Sequence, residues 1–113
     1  MGLDSYWSKD FAEIKVDDIN FDPPLNLVGG MMSGHGQGSF RGKVYDALIE
    51  TITGHSLYAE FITPEKIKEM ASKLESFKGT ISPEFQVEPK EYQDLVRMFK
   101  AYADTDHGLL GWW

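Results

Sequence analysis

Apolar positions recur at helical spacing in three segments of the chain, and each segment has its own start or stop signal. The first runs up to Gly54, a residue type that often ends helices in the left-handed conformation. The second begins at Thr63 and Pro64, where the threonine hydroxyl can accept from a free amide and the proline loses no helical hydrogen bond. The third opens at Pro89 and has the clearest amphipathic pattern. The pattern predicts helices over about 41–53, 64–77 and 89–104.

Other stretches carry weaker patterns. The segment "HSLYAEFI", residues 55–62, is short for a helix and irregular for a strand, and we interpret it as a second piece of the first helix capped by Ser56. Upstream, "FAEIKVDDINFD" and "PLNLVGG" alternate apolar and polar residues, which favours a short two-stranded ribbon lying on the helices. Pro23 and Pro24 argue against a long sheet there.

These elements predict an α+β fold that is predominantly helical. A chain of 113 residues can bury one core, so we expect a single domain over 1–113. Within it, residues 1–40 are expected to be β-like or irregular, with a glycine-rich loop at 29–42, and residues 41–113 to be helical. The core positions expected on the second and third helices are Ile67, Leu74, Leu95 and Phe99.

Composition and charge indicate the class of protein and the kinds of partner that it can bind. Hydrophobic residues make up 42% and charged residues 26%, which is ordinary for a globular chain. There are 18 acidic and 11 basic residues, a net charge of −7, so we expect nucleic acid and anionic membranes to be repelled at long range and a basic protein to be attracted. The alternative is that the charge only keeps the protein soluble. No run of eighteen apolar residues occurs, and we expect a soluble cytoplasmic protein. The acids of the N-terminal third are Asp4, Asp10, Glu13, Asp17, Asp18 and Asp22.

The residue types that usually carry chemistry are sparse. Cysteine is absent, which excludes disulfides, zinc–thiolate sites and cysteine nucleophiles. His35, His55 and His107 lack the spacing of a helical metal site, and we expect them to be isolated surface residues. Asp104 and Asp106 resemble the start of a calcium loop only weakly, and Gly108 is read as the residue that turns the chain out of the third helix. No catalytic residue, metal ligand or cofactor is assigned.

The glycine-rich stretch "GGMMSGHGQGSFRGK", residues 29–43, holds six of the eleven glycines. It fails the phosphate-loop pattern because Val44 stands where a hydroxyl residue is needed, and the chain lacks the alternating strands and helices of a dinucleotide fold. The glycines are explained without a ligand if they supply the positive backbone angles that let the chain follow a tight path over the core. A weaker hypothesis is an anion site where this backbone meets the first helix. Its candidate residues are Gly34, His35, Gly36, Gly38, Arg41 and Lys43.

The C-terminal "LLGWW" poses a different question. Leaving Leu109, Leu110, Trp112 and Trp113 in water would forgo several kcal/mol at ~25 cal/mol per Å², so something should cover them. Either they fold back on the helices, with Gly111 allowing a bend, or they form an interface with another chain.

Two classes of function follow. We expect a small acidic noncatalytic binding protein that acts through homo-oligomerisation or a basic protein partner, because this class requires no missing motif. The alternative is a small anion-binding protein or small enzyme that uses loop 29–42.

Overall fold

The three helices form where the apolar pattern predicts them. A computed structural model describes residues 3–9, 21, 25, 27 and 39–113. The elements in chain order are β1 (Asp4–Ser8), β2 (Ser39–Phe40), α1 (Gly42–Thr53), β3 (Phe61–Ile62), α2 (Pro64–Ser76), a 3₁₀ turn (Pro83–Phe85), α3 (Pro89–Asp104) and β4 (Gly108–Trp112). The α+β, mainly helical class is confirmed.

The predicted helix signals act as expected. Gly54 ends α1 at φ 81°, and its amide donates to the Glu50 carbonyl oxygen at 2.8 Å. The Thr63 hydroxyl accepts from the Lys66 amide at 3.3 Å, which satisfies one free donor of the first turn of α2. Pro89 is the first residue of α3.

The strands form one antiparallel sheet in the order β2-β1-β4-β3. Its central pair joins the two ends of the described chain, from Asp4 opposite Trp112 to Ser8 opposite Gly108. The sequence patterns did not predict β1 or β4. The part of the chain from residue 41 onward therefore contributes β3 and β4 to the sheet as well as the helices.

The core forms where the sheet meets α3. The Trp7 ring of β1 stacks on Tyr102 with centroids 4.7 Å apart and meets the Phe99 ring edge-on at 5.0 Å. The four predicted core positions are all completely buried: Ile67, Leu74, Leu95 and Phe99.

Three local interpretations are wrong. Residues 55–60 form no helix, and Ser56 donates its hydroxyl to Asp46 Oδ1 at 2.8 Å instead of capping one. The left-handed residue after α3 is Asp106, at φ 59°, whereas Gly108 begins β4. Gly111 lies within β4 and makes no bend of the left-handed kind. The ribbon predicted from residues 11–22 and 24–30 falls almost wholly outside the described residues.

Candidate functional site

The end of β4 separates the predicted interface residues into two groups. Leu109 and Leu110 are buried by the chain itself. They are consecutive strand residues that point to opposite faces of the sheet, so both faces are covered at this point. Trp112 is 70% exposed and Trp113 is 52% exposed. The candidate interface therefore narrows to the two tryptophans.

Tyr58 lies beside this strand end and extends the exposed surface. It is 41% exposed, and its ring meets the Trp113 ring edge-to-face, with centroids 5.6 Å apart and planes at 70°. Sequence reasoning missed Tyr58 because it follows α1 and is far from the tryptophans in the chain. We call the three exposed aromatic residues around the end of β4, Tyr58, Trp112 and Trp113, the aromatic surface, although the Trp112 ring itself contacts neither of the other two rings.

Asp46 of α1 fixes the loop that carries Tyr58. Its Oδ1 accepts from the Ser56 hydroxyl at 2.8 Å and from the Leu57 amide at 2.7 Å. The Tyr58 amide in turn donates to the Ser56 hydroxyl oxygen at 3.1 Å. One carboxylate therefore orders three consecutive residues of this loop, which positions the tyrosine ring for contact with Trp113.

Gly111 joins the same loop to β4. Its amide donates to the Glu60 carbonyl oxygen at 3.1 Å. A Cβ at this position would collide with the Ala59 carbonyl oxygen, so the loop and the strand approach too closely for a larger residue. The aromatic surface consequently rests on backbone that is held from both sides.

Asp4 stands directly opposite Trp112 on the neighbouring strand β1. Its side chain is half-buried, and among the described residues it makes no hydrogen bond or ion pair. The pKa of Tyr6, two residues along β1, is raised first by burial and second by the negative charge of Asp4. The strand register therefore puts an acidic residue directly opposite Trp112, and its carboxylate has no hydrogen-bond or ion-pair partner among the described residues.

The predicted anion site is described only in part. Gly34, His35, Gly36 and Gly38 lie outside the described residues, and the exposed Arg41 and Lys43 stand at the start of α1. Two amides of the first helical turn are already bonded, that of Lys43 to the Leu3 carbonyl oxygen at 3.2 Å and that of Val44 to the Arg41 carbonyl oxygen at 3.1 Å. These two donors are not available to an anion in this conformation.

The histidines differ in environment. His55 is partly exposed, with Nε2 3.4 Å from Glu69 Oε2. His107 is buried, with Nδ1 2.8 Å from the Thr105 hydroxyl and its ring edge-on to Tyr102, so the expectation of a surface residue is wrong there. Within the described ranges, no group of three histidine, aspartate or glutamate side chains could hold a metal ion.

Among the described residues, no helix combines the length and apolar character needed to cross a bilayer. Comparison of the chain with protein-family models, curated proteins and solved structures finds no match, so its own geometry carries the functional argument.

Proposed function

We propose that this protein is a noncatalytic binding protein that engages a partner protein through the aromatic surface. The observation that carries the proposal is the exposure of Trp112 and Trp113, at 70% and 52%, with the Trp113 ring against the exposed Tyr58. Tryptophan and tyrosine are the residue types most enriched at the energetic centres of protein interfaces. Asp46 holds the backbone of the loop that carries Tyr58, and the Gly111 amide holds β4 to the same loop. Little ordering of this backbone is therefore needed on binding.

The energetics favour this use of the rings. Covering about 100 Å² of each tryptophan would contribute about 2.5 kcal/mol per ring at about 25 cal/mol per Å². Folding leaves that free energy still to be gained, because about half of Trp113 and more than half of Trp112 remain exposed to solvent. A partner surface would supply it, with the aromatic surface at the centre of a larger contact.

The experiment compares the wild type with the double variant Trp112→Ala/Trp113→Ala. Each is immobilised and exposed to a lysate of the source cells, and captured proteins are quantified by mass spectrometry. We expect a defined partner to be retained by the wild type and lost from the double variant, while both have the same urea midpoint. Val44→Ala, which removes an exposed apolar side chain of α1, is the matched control and should retain the partner. Identical captured sets for wild type and double variant would refute the proposal.

A further inference from the structure

The strand pairing places an acidic residue, Asp4, directly opposite a tryptophan, Trp112. Asp4 and Trp112 are direct cross-strand partners, and such partners have Cβ atoms about 4.5–5.5 Å apart on the same face of the sheet. The carboxylate of Asp4 makes no hydrogen bond or ion pair within the described part of the chain. The Trp112 ring contacts no other described aromatic ring and is the most exposed of the large apolar side chains.

We propose that Asp4 and Trp112 together bind the guanidinium group of an arginine side chain on the partner protein. This inference rests on the proposed function and specifies the chemistry of the partner. A guanidinium is planar, so it can stack on an indole face while its N–H groups donate to a carboxylate at the edge of the ring. A lysine ammonium stacks less well on an indole face. It also cannot donate two parallel hydrogen bonds to one carboxylate, as a guanidinium can. The half-burial of Asp4 reduces the screening of its charge by water.

Charge favours a basic partner over a second copy of this chain. The net charge of −7 attracts a cationic surface at long range. A two-fold dimer through this surface would instead set the surface against itself, with both Asp4 carboxylates close to the interface. Growth of the sheet is also disfavoured, because the outermost of the described strands, β2 and β3, have two residues each.

The chain's own nearby arginine does not occupy the site. Phe40 pairs with Ser5, so Arg41 follows close to Asp4 in the strand register. Its guanidinium nevertheless forms no ion pair with Asp4, and its side chain is exposed. Among the described residues, no cationic side chain therefore forms an ion pair with the Asp4 carboxylate.

The test uses ¹⁵N-labelled full-length protein and the peptide acetyl-Gly-Arg-Gly-amide, with lysine and glutamine versions as comparison probes. The indole N–H signals are assigned with Trp→Phe variants and followed during titration. We expect the Trp112 signal to shift saturably with the arginine peptide, with an apparent Kd about threefold lower than for the lysine peptide and no saturation with glutamine. Asp4→Asn should weaken arginine binding about fivefold. Glu50→Gln, which removes an exposed carboxylate of α1, should leave it unchanged.

The outcomes separate this inference from the proposed function. If Asp4→Asn binds the arginine peptide as the wild type does, the guanidinium site is refuted, even where the tryptophan double variant still loses a captured partner. If the arginine peptide shifts amides evenly over the acidic surface, the site is refuted as well. A wild-type dimer in light scattering that Trp112→Ala dissociates would identify a second copy as the occupant and overturn the basic partner. Asp4→Asn and the wild type should have the same urea midpoint, which shows that any loss of binding in the variant is not caused by unfolding.

Discussion

Tyr45 of α1 donates its hydroxyl hydrogen to Glu91 Oε2 of α3 at 2.5 Å, with both side chains buried. The two residues are 46 positions apart, so the bond ties the first helix to the start of the third. Glu91 also lies in the first turn of α3, where the helix dipole favours a negative charge. The bond joins two helices without leaving a buried polar group unpaired, because the hydroxyl has an acceptor and the carboxylate has a donor.

Loss of this hydroxyl should destabilise the fold. Tyr45→Phe keeps the ring but leaves a buried carboxylate oxygen without its donor, and we expect the free energy of unfolding to fall by about 1–3 kcal/mol in urea denaturation. Tyr58→Phe removes a hydroxyl from an exposed ring and should change it by less than about 0.5 kcal/mol. Equal effects of the two variants would show that the Tyr45–Glu91 bond contributes nothing net.

Stability should fall in alkaline solution. Burial first, and then the hydrogen bond and charge of Glu91, raise the pKa of Tyr45, and burial raises the pKa of Tyr92 to about 12. Both hydroxyls are protonated in the folded protein at a pH where the unfolded chain ionises them, above about 10. Their contribution is therefore complete below pH ~10 and lost as the pH rises, at about 1.4 kcal/mol per pH unit for each fully protected group.

Urea midpoints measured between about pH 8 and pH 11 check this slope. Tyr45→Phe should make the slope shallower because one protected group is gone. A wild-type midpoint that stays constant to pH ~11 would contradict the prediction.

Gly111 should not tolerate a side chain. A Cβ there would meet the Ala59 carbonyl oxygen, which belongs to backbone and cannot rotate away. We expect Gly111→Ala to lower the free energy of unfolding by about 2–3 kcal/mol and to disturb the aromatic surface. Gly79→Ala is the matched control, since the three atoms nearest its Cβ would all belong to the movable Phe77 ring, the first at 2.8 Å, and it should cost less than about 1 kcal/mol. Similar losses for both variants would show that backbone crowding is not the cause.

Asp46 should matter to the order of the loop that carries Tyr58 as well as to the stability of the fold. Asp46→Ala removes the acceptor of the Ser56 hydroxyl and the Leu57 amide, so we expect a stability loss of about 1–2 kcal/mol. The loop that carries Tyr58 should also become more mobile, visible as faster amide hydrogen exchange at Leu57 and Tyr58. Exchange rates equal to those of the wild type would mean that other contacts hold the loop.

The three tryptophans should behave as two classes. Trp7→Ala removes a fully buried ring and should cost about 3–5 kcal/mol, whereas Trp112→Ala should change the free energy of unfolding by less than about 0.5 kcal/mol. Acrylamide should quench most of the tryptophan fluorescence, with a protected remainder that disappears in Trp7→Phe. A Trp112→Ala variant that unfolds as readily as Trp7→Ala would show that this ring supports the fold.

Sequence reasoning reached part of the candidate site. The sequence indicated Trp112 and Trp113 as candidate interface residues because large apolar side chains lie together in this short segment. The same reason applied equally to Leu109 and Leu110. Burial decided between them, since the sheet covers the leucines and leaves the tryptophans exposed. The Asp4–Trp112 pair had no signal in the sequence, because a strand register across the length of the chain leaves no local pattern.

The sequence by itself determined the three helices, their caps at Thr63 and Gly54, and the net negative charge of the chain. Helical hydrogen bonds close within four residues, so apolar spacing and end signals are enough to specify them. Only the tertiary structure decided that the two ends of the described chain pair as β1 and β4, and which C-terminal side chains remain in solvent. A strand satisfies its backbone only through a partner strand, and that partner is here about a hundred residues away.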